Sequence, residues 1–252
     1  RWLEGLFKRY FRGIPIYGTR FDKTITWQEE HPVDASCLMG TLSRHHRNAQ
    51  DEFPGTPYLI ADPERRIQWR ALLASLGTKP KIGIAWSGGL KSTFKGRRSV
   101  GLEDLLPILK NDATFVSLQY KKSQDEIDEF EEKHGIKIHH WTRATEVADY
   151  DETAALVAEL DMVVSVQTAV VHLCGALGKK CWVLVPSKPH WRYGLKGDSL
   201  PWYKSVKLYR QKKDWSWIID KVAGDLCSSL TTPQQHQEKE SISPESLSET
   251  TA

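Results

Sequence analysis

The sequence has few cysteines, no long apolar run and no strong excess of either charge. Its four cysteines are widely spaced, form no C-x-x-C pair and in two cases lie in apolar runs; they are Cys37, Cys174, Cys181 and Cys227. This pattern favours reduced core thiols over disulfides or zinc ligands and indicates a cytoplasmic setting. No apolar stretch reaches the roughly 18 residues of a membrane span, and no leader pattern is found, so we expect a soluble protein without a transmembrane segment.

The near balance of charges excludes a broad nucleic-acid-binding surface. The chain has 35 Lys and Arg residues and 32 Asp and Glu residues, which gives a net charge of +3 over 252 residues. A nucleic-acid-binding domain would show a one-sided basic field, so any basic site must be local and no nucleic-acid partner is expected. The sequence begins at Arg1 rather than methionine, from which we expect a piece of a longer protein.

From Lys81 onward, short β-rich runs alternate with helical segments. Runs such as MVVSV and CWVLV are apolar on both faces, as in central strands that are covered by helices on each side. The alternation predicts an α/β fold with a doubly wound, Rossmann-like parallel sheet. A strand at VKLYR and an amphipathic helix at DWSWIIDKVAGDLCSSL are expected to complete this domain near residue 230.

The chain is predicted to have three parts. Residues 1–75 are expected to be part of a second, amino-terminal domain, residues 76–230 the sheet domain, and residues 231–252 a disordered tail without aromatics. In the first part, IPIYGTRFDKTITW suggests strand and turn, and HPVDASCLMGTLSRHHRN shows no clear period. At the boundary, DPERRIQWRALLASLG predicts a helix with Asp62 as cap and Pro63 in the first turn.

The opening segment RWLEGLFKRYFRG predicts an amphipathic helix. Its apolar face is expected to consist of Leu3, Phe7, Tyr10 and Phe11. Packing of this face against a core is the simpler interpretation, with a membrane-surface helix as the alternative.

The segment SGGLKSTFKGRRS follows the first strand and contains three glycines and four cations. Ligands of open parallel sheets bind beyond the carboxyl ends of the strands, where glycine amides and cations favour an anion. The segment is not a regular Walker loop, which has glycine where Leu90 stands. It also departs from the SGG-x-D-S loop of ATP pyrophosphatases, which has aspartate where Lys91 stands.

A second candidate segment is VQTAVVHLCGALG. Gln167 is expected to end a buried strand, and Thr168 is expected to cap the next helix, with the free amides of the first turn facing the ligand crevice. His172 follows one turn later on the same helical face.

The order of several motifs resembles a known family. VVSVQTAVVHLCGALGKKCWVLVP is followed by HWRYG, DSLPWY and VKLYRQ, and is preceded by IAWSGG, RRS, FVSLQ and DYDETAALVAELD. Over roughly residues 54–220 this set is similar to the carboxyl-terminal half of GT-B glycosyltransferases, especially heptosyltransferase-like enzymes often fused to tetratricopeptide repeats. The family has D-T-x-x-x-H-L-x-G-A-L-G at its nucleotide-sugar site, and Gln167 here replaces the aspartate.

The resemblance implies a metal-independent glycosyltransferase that takes a sugar from a nucleoside-diphosphate sugar, without a further cofactor, and passes it to an unknown glycan, lipid or protein acceptor. Cations and a helix amino terminus would stabilise the charge on the departing diphosphate. By similarity, the phosphates lie near Ser87, Gly88, Gly89, Lys95 and Arg98, the base or ribose near Gln119 and Tyr120, and the diphosphate and sugar near Gln167, Thr168, Ala169 and His172.

The sequence does not fix a catalytic base. His172, Asp34 and Asp22 are candidates, and His31 is a further one by residue type. GT-B enzymes usually draw the base and the acceptor site from the amino-terminal domain, of which only the last part fits into residues 1–75. A non-catalytic nucleotide-sugar-binding module is therefore the main alternative, and an SGG-type ATP pyrophosphatase is the remaining one.

Two further motifs have two interpretations each. DYD at 149–151 resembles a D-x-D metal motif, but it precedes a helical segment, so capping explains its acids more simply and no metal is expected. KPHWRYG and PWY, within residues 188–203, mix aromatics with cations. They predict either an aromatic platform for a sugar or base, or packing between the last helix and the sheet.

Overall fold

The computed structural model describes residues 2–19, 26–89, 95–120, 123–146 and 149–231. Its centre is a seven-stranded sheet with the order β3-β2-β1-β4-β5-β7-β6. The strands are β1 (Lys81–Ala85), β2 (Thr114–Ser117), β3 (Ile138–His139), β4 (Met162–Val166), β5 (Cys181–Val185), β6 (Ser199–Leu200) and β7 (Tyr203–Arg210). Every pairing is parallel except that of β6 with β7.

Helices lie between most of the strands, as the alternating sequence pattern predicts. In chain order they are α1 (Glu4–Tyr10), α2 (Trp27–Glu30), α3 (Met39–His46), α4 (Pro63–Ala74), α5 (Lys95–Arg98), α6 (Leu106–Leu109), α7 (Gln124–His134), α8 (Thr142–Thr145), α9 (Tyr150–Glu159), α10 (Ala169–Ala176) and α11 (Trp215–Thr231). Short 3-10 turns occur at Gln50–Glu52, Glu103–Leu105 and Trp191–Tyr193.

The sheet is covered on both faces. Neighbouring residues of a strand point to opposite faces, so Val163 joins a core with α4, α9 and α10, whereas Val164 joins a second core with α6, α7 and α11. All five residues of β1, β4 and β5 are buried. This arrangement confirms the predicted α/β class with a doubly wound, mostly parallel sheet.

The predicted start of α4 is confirmed. The Asp62 carboxylate accepts hydrogen bonds from the backbone N–H of Glu64 at 3.1 Å and of Arg65 at 3.0 Å, and Pro63 occupies the first helical position. These bonds satisfy two of the amides that a helix start leaves free. The helix then packs along α9 and buries Trp69.

The amino-terminal segment differs in detail from the prediction. Leu6 is the fully buried residue of α1, whereas Leu3 and Tyr10, which were expected on the buried face, are 39% and 40% exposed. The residues described from IPIYGTRFDKTITW, 14–19 and 26–27, contain no strand, and α3 forms where no period was found. Leu6 shares a core with α4 and the sheet, and the division of the chain at residue 75 stays a prediction.

Two of the four cysteines lie in the core, as expected of core thiols, and two do not. Cys174 and Cys181 are buried and free, while Cys37 and Cys227 are free and exposed. Within the described ranges no helix is both long and apolar enough to cross a membrane. The predicted tail begins at the end of α11, and residues 232–252 lie outside the described part of the chain.

Candidate functional site

The candidate site lies at the carboxyl edge of the sheet, where the loops after β1 and β4 meet. The two strands pair side by side although three crossovers separate them in the chain. Such a switch in strand order opens a crevice between the loops that leave the strands. We call the space between Ser87–Gly89, Arg98 and Gln167–His172 the carboxyl-edge crevice.

Gly88 lets the two loops approach closely. A Cβ atom built on Gly88 would lie 2.4 Å from Cγ2 of Thr168, well inside the range that real Cβ atoms occupy. Only glycine fits at this contact without displacing its neighbour. The backbone of the β1 loop is therefore held against the first residue before α10.

Gly89 makes room for a guanidinium group. Its φ is +90°, which favours glycine, and a Cβ atom there would lie 1.7 Å from an Nη atom of Arg98. Arg98 ends α5 and is half-buried over the glycine. The N–H of Gly88 donates to Ser99 Oγ at 3.2 Å and that of Gly89 donates to Tyr120 OH at 3.1 Å.

Gln119 fixes the same loop from the end of β2. Its buried side chain accepts a hydrogen bond from the Ser87 N–H at 3.2 Å and donates from Nε2 to the Ser87 carbonyl at 2.9 Å and hydroxyl at 3.1 Å. Gln119 therefore positions the β1 loop in this structure. Contact of Gln119 or Tyr120 with a base or ribose stays a prediction.

Thr168 occupies the N-cap position of α10 without making the cap bond. Its backbone is extended, with φ −130° and ψ 176°, but its side chain accepts no bond from the helix amides. The hydroxyl instead lies 3.3 Å from Ser165 Oγ. The predicted capping by the Thr168 side chain is thus wrong, because the hydroxyl pairs backward with β4. The first-turn amides of α10 are left without a bond from this hydroxyl.

His172 lies one turn into α10, between two tyrosines. The centre of its ring is 5.9 Å from the ring centres of both Tyr193 and Tyr203. Burial lowers the pKa of His172 to about 4, and the nearby Arg192 and His190 lower it further in the same direction. The imidazole is therefore neutral near pH 7 and can donate from one nitrogen and accept at the other.

Gln167 links β4 to the segment that follows β5. Its side chain is 3% exposed, and Oε1 accepts a hydrogen bond from the backbone N–H of His190 at 3.2 Å. Nε2 is buried and has no hydrogen-bond partner among the described residues. A buried amide donor without a hydrogen-bond partner costs free energy of folding.

The structure gathers most of the predicted binding residues at this edge. They are Ser87, Gly88, Gly89, Arg98, Gln119, Tyr120, Gln167, Thr168, Ala169 and His172, and their roles toward a ligand stay predictions. Lys95 begins α5. Lys91 and Asp22 lie outside the described residues. Asp34 and His31 are exposed in the stretch between α2 and α3.

Sequence reasoning did not place Tyr193, Tyr203, Arg192 and His190 beside His172. Tyr193 and Tyr203 contact His172, and Arg192 and His190 influence its pKa. The sequence pattern that could have indicated these residues is the mixture of aromatics and cations in HWRYG and PWY. Their place beside α10 depends on how β5 and β7 pair, which the motifs alone do not give.

The acids of DYD serve the helix and two ion pairs. Asp149 accepts a hydrogen bond from the Asp151 N–H at 3.0 Å, which confirms the capping interpretation. Asp149 also pairs with Arg65 at 2.6 Å, and Asp151 pairs with Arg9 at 2.9 Å. In the described part of the chain, no three His, Cys, Asp or Glu side chains converge on a common point. Metal independence stays a prediction.

Two clefts lie at opposite ends of the sheet. The larger, about 590 Å³, is at the amino end of β2, near Lys79 and Phe115. The smaller, about 380 Å³, is at the carboxyl edge and is lined by Gly96, Arg97, Pro186, Ser187, Lys188, Gln211 and Trp215. Neither cleft is lined by the residues that define the carboxyl-edge crevice. We place the site in that crevice because parallel sheets of this class bind ligands at the carboxyl edge.

The chain is similar to a curated protein and to several solved structures. No protein-family model matches the chain. Protein FlbA of Caulobacter vibrioides is 29% identical over 222 residues, which cover 86% of this chain and 35% of FlbA. The chain thus spans about a third of the length of this curated relative.

The solved structures resemble the chain more remotely. E. coli ADP-heptose lps heptosyltransferase II is 17% identical with a TM-score of 0.49, covering 73% of this chain and 57% of its own. The glycosyl transferase family 9 protein from Veillonella parvula is 12% identical with a TM-score of 0.47, covering 66% of this chain and 46% of its own. Likeness at this level identifies no activity.

Proposed function

We propose that this chain is the donor-binding part of a glycosyltransferase that takes a sugar from a nucleoside-diphosphate sugar without using a metal ion. The observation that carries the proposal is the contact of Gly88 with Thr168, which holds the β1 loop against the start of α10. The contact brings together the two motifs whose order in the sequence resembles GT-B enzymes. The proposal covers donor binding by this chain and names neither the acceptor nor the catalytic base.

The electrostatics of the crevice support a diphosphate ligand. Partial desolvation lowers the pKa of His190, and the charges of Arg192 and Arg98 lower it further, so two guanidinium groups act on this exposed residue. The first-turn amides of α10 add the positive end of a helix dipole. Groups that are already fixed in place stabilise negative charge that develops on a leaving diphosphate without further reorganisation.

His172 would act in this site as a neutral hydrogen-bonding group. Its lowered pKa keeps the imidazole uncharged at neutral pH, so it can donate to a phosphate or sugar oxygen or accept from a sugar hydroxyl. Gln167 would contribute no charge where the related family has aspartate. The preference for the donor sugar is therefore expected to differ from enzymes that have the aspartate.

Thermal unfolding in the presence of UDP, ADP, GDP, CDP and their common sugar conjugates tests the proposal. A ligand that binds only the folded state at 100 times its Kd stabilises it by about 2.7 kcal/mol. We expect one diphosphate to raise Tm, and we expect this increase to be lost in Arg98→Ala and reduced in His172→Ala.

Arg44→Ala is the matched control, because Arg44 is an exposed arginine on α3, outside the crevice. It should bind the diphosphate as the unchanged chain does. The proposal fails if no diphosphate stabilises the folded chain, or if Arg98→Ala and Arg44→Ala respond alike. Binding of ATP with hydrolysis, and no response to sugar nucleotides, would indicate the ATP pyrophosphatase instead.

A non-catalytic nucleotide-sugar-binding module is the second candidate. The neutral amide of Gln167, engaged with the His190 N–H, is the observation that favours it. Diphosphate binding by the full-length protein without transfer to any acceptor or hydrolysis of the sugar nucleotide would select this alternative.

A further inference from the structure

Trp191 is an unusually exposed tryptophan beside the carboxyl-edge crevice. It belongs to the 3-10 turn Trp191–Tyr193, which follows β5, and 66% of its side chain is exposed. Two residues later, Tyr193 is buried and contacts His172. A single turn therefore places the Tyr193 ring against His172 in the crevice and the Trp191 ring in solvent.

The segment that carries Trp191 is held at both ends by hydrogen bonds. At one end, the His190 N–H donates to the buried Gln167 side chain at 3.2 Å. At the other end, the Arg210 guanidinium donates to the carbonyls of Tyr193, Gly194, Lys196 and Gly197. The N–H of Gly194 closes the turn onto the Trp191 carbonyl at 3.1 Å. The indole is thus presented by a fixed backbone.

Polar groups surround the exposed indole. The Arg192 guanidinium lies over the ring, 4.6 Å from its centre, and the His190 ring centre is 5.8 Å away. An Nη atom of Arg192 lies 3.4 Å from His190 Nδ1. The remaining ring surface is open to solvent and is bordered by a guanidinium and an imidazole, both of which bind oxygen atoms.

We propose that Trp191, at the edge of the crevice, is a stacking platform for a sugar ring. The apolar C–H face of a sugar packs on an aromatic ring, while the hydroxyls at its edge need hydrogen-bonding neighbours. The open face of Trp191 offers the ring, and Arg192 and His190 offer the neighbours. The proposal rests on the proposed glycosyl transfer, which gives the reason to expect a sugar at this edge. It goes beyond it by naming the ligand's chemistry and the residue that holds it.

A base of the donor nucleotide is the competing ligand for a flat aromatic surface. A base stacks on tryptophan as well, so the competing assignment predicts weaker diphosphate binding when the indole is removed. The sugar platform predicts unchanged diphosphate binding. The two assignments are therefore separated by measuring both ligands on the same variants.

Trp217 provides a matched control. It is also an exposed tryptophan, 44% accessible, and the Lys212 ammonium lies over its ring at 5.0 Å, but it belongs to α11. Trp217→Ala removes a cation-covered exposed indole without touching the His190–Tyr193 segment. Trp191→Phe keeps an aromatic ring of smaller area.

The experiment is saturation-transfer NMR on the full chain with methyl glycosides of glucose, galactose, N-acetylglucosamine and rhamnose as probes. We expect at least one glycoside to receive saturation at ring C–H protons in the unchanged chain and in Trp217→Ala. The signal should fall to background in Trp191→Ala and be partly retained in Trp191→Phe. Circular dichroism confirms that each variant is folded.

Three outcomes overturn the platform: no glycoside binds the unchanged chain, Trp191→Ala and Trp217→Ala lose signal equally, or Trp191→Ala weakens diphosphate binding instead. Glycoside binding that depends on Trp191, in a chain that binds no diphosphate, supports the platform and contradicts the proposed function. The two proposals therefore fail separately.

Discussion

Two charged regions of the molecule differ in which charges lie next to each other. In the region between α1, α4 and α9, which we call the paired region, arginines form ion pairs with carboxylates. Arg9 pairs with Asp62 and Asp151, Arg65 with Asp149 and Glu152, and Arg66 and Arg70 with Glu159. At the carboxyl-edge crevice, Arg98 and Arg192 lie near two histidines whose pKa values are lowered.

The contrast separates a region that serves the fold from one suited to a ligand. Opposite charges in contact satisfy each other and connect helices that pack on one face of the sheet. Cationic groups near an imidazole raise the free energy of its protonated form and favour an incoming anion. Changing the charges in each region tests this interpretation, because the two regions should respond differently.

The largest expected effect is the pH dependence caused by His172. In the unfolded chain His172 binds a proton near the ordinary histidine pKa of 6.5, whereas the folded residue, desolvated by burial, does so only near about 4. The unfolded state therefore binds more protons in this interval, and stability falls as pH falls from 6.5 to 4. We expect His172 to account for about 2–3 kcal/mol of that loss, which His172→Gln should remove.

Urea unfolding at a series of pH values gives the free energy of unfolding as a function of pH. The contribution of His172 is the difference in slope of this dependence between the unchanged chain and His172→Gln. His45→Gln, at an exposed residue of α3, is the control and should leave the pH dependence of the free energy of unfolding unchanged. Parallel slopes for the unchanged chain and His172→Gln would show that His172 is accessible to protons in the folded state. In that case the effect of burial described above for His172 would be wrong.

The next effect is in the paired region. Burial alone would raise the pKa of Glu159, but hydrogen bonds from Arg70 and Arg66 outweigh it and lower the pKa. Its side chain is only 5% exposed, whereas both arginines reach solvent. Glu159→Gln should therefore cost about 1–3 kcal/mol, less than the breaking of a fully buried pair.

Urea unfolding at pH 7 measures the loss, with Glu132→Gln on the exposed side of α7 as the control. Because the pKa of Glu159 is lowered in the fold, its contribution is present above the ordinary glutamate pKa of 4.5 and is lost as pH falls through the folded pKa. Equal losses in both variants would show that the paired region does not stabilise the fold through charge. Diphosphate binding should be unchanged in either.

The sheet was predictable because local patterns determine it. Apolar runs such as MVVSV in β4 are buried on both faces, and helix starts such as Asp62-Pro63 follow from chemistry within one turn. The short antiparallel β6 and the helix α3 were not predicted. β6 exists only by pairing with β7, and α3 buries no residue of its own, so neither leaves a clear local pattern.

The candidate site was predictable only in part, because its contacts are distant in sequence. Gly88 and Thr168 were both expected at the carboxyl edge, but the contact between them follows from the pairing of β1 with β4. The Thr168 hydroxyl was expected to cap α10, and a bond to Ser165 competes with it. Tyr203 reaches His172 only because β7 lies beside β5.

The smallest expected effect comes from giving the crevice a negative charge of its own. Gln167→Asp places a carboxylate at the end of β4, beside the His190 N–H that Gln167 now binds. An opposite charge favours protonated imidazole, so the lowered pKa of His190 should rise toward its ordinary value. Diphosphate affinity should fall by about threefold, because the carboxylate repels the anion.

Gln167→Asn is the matched control, since it shortens the side chain equally and adds no charge. NMR titration of the histidine ring protons, with His190 identified by its absence in His190→Asn, measures the pKa, and calorimetry measures the affinity. A change shared by Gln167→Asp and Gln167→Asn would be a packing effect. In that event the crevice does not respond to charge, and its difference from the paired region between α1, α4 and α9 would not be electrostatic.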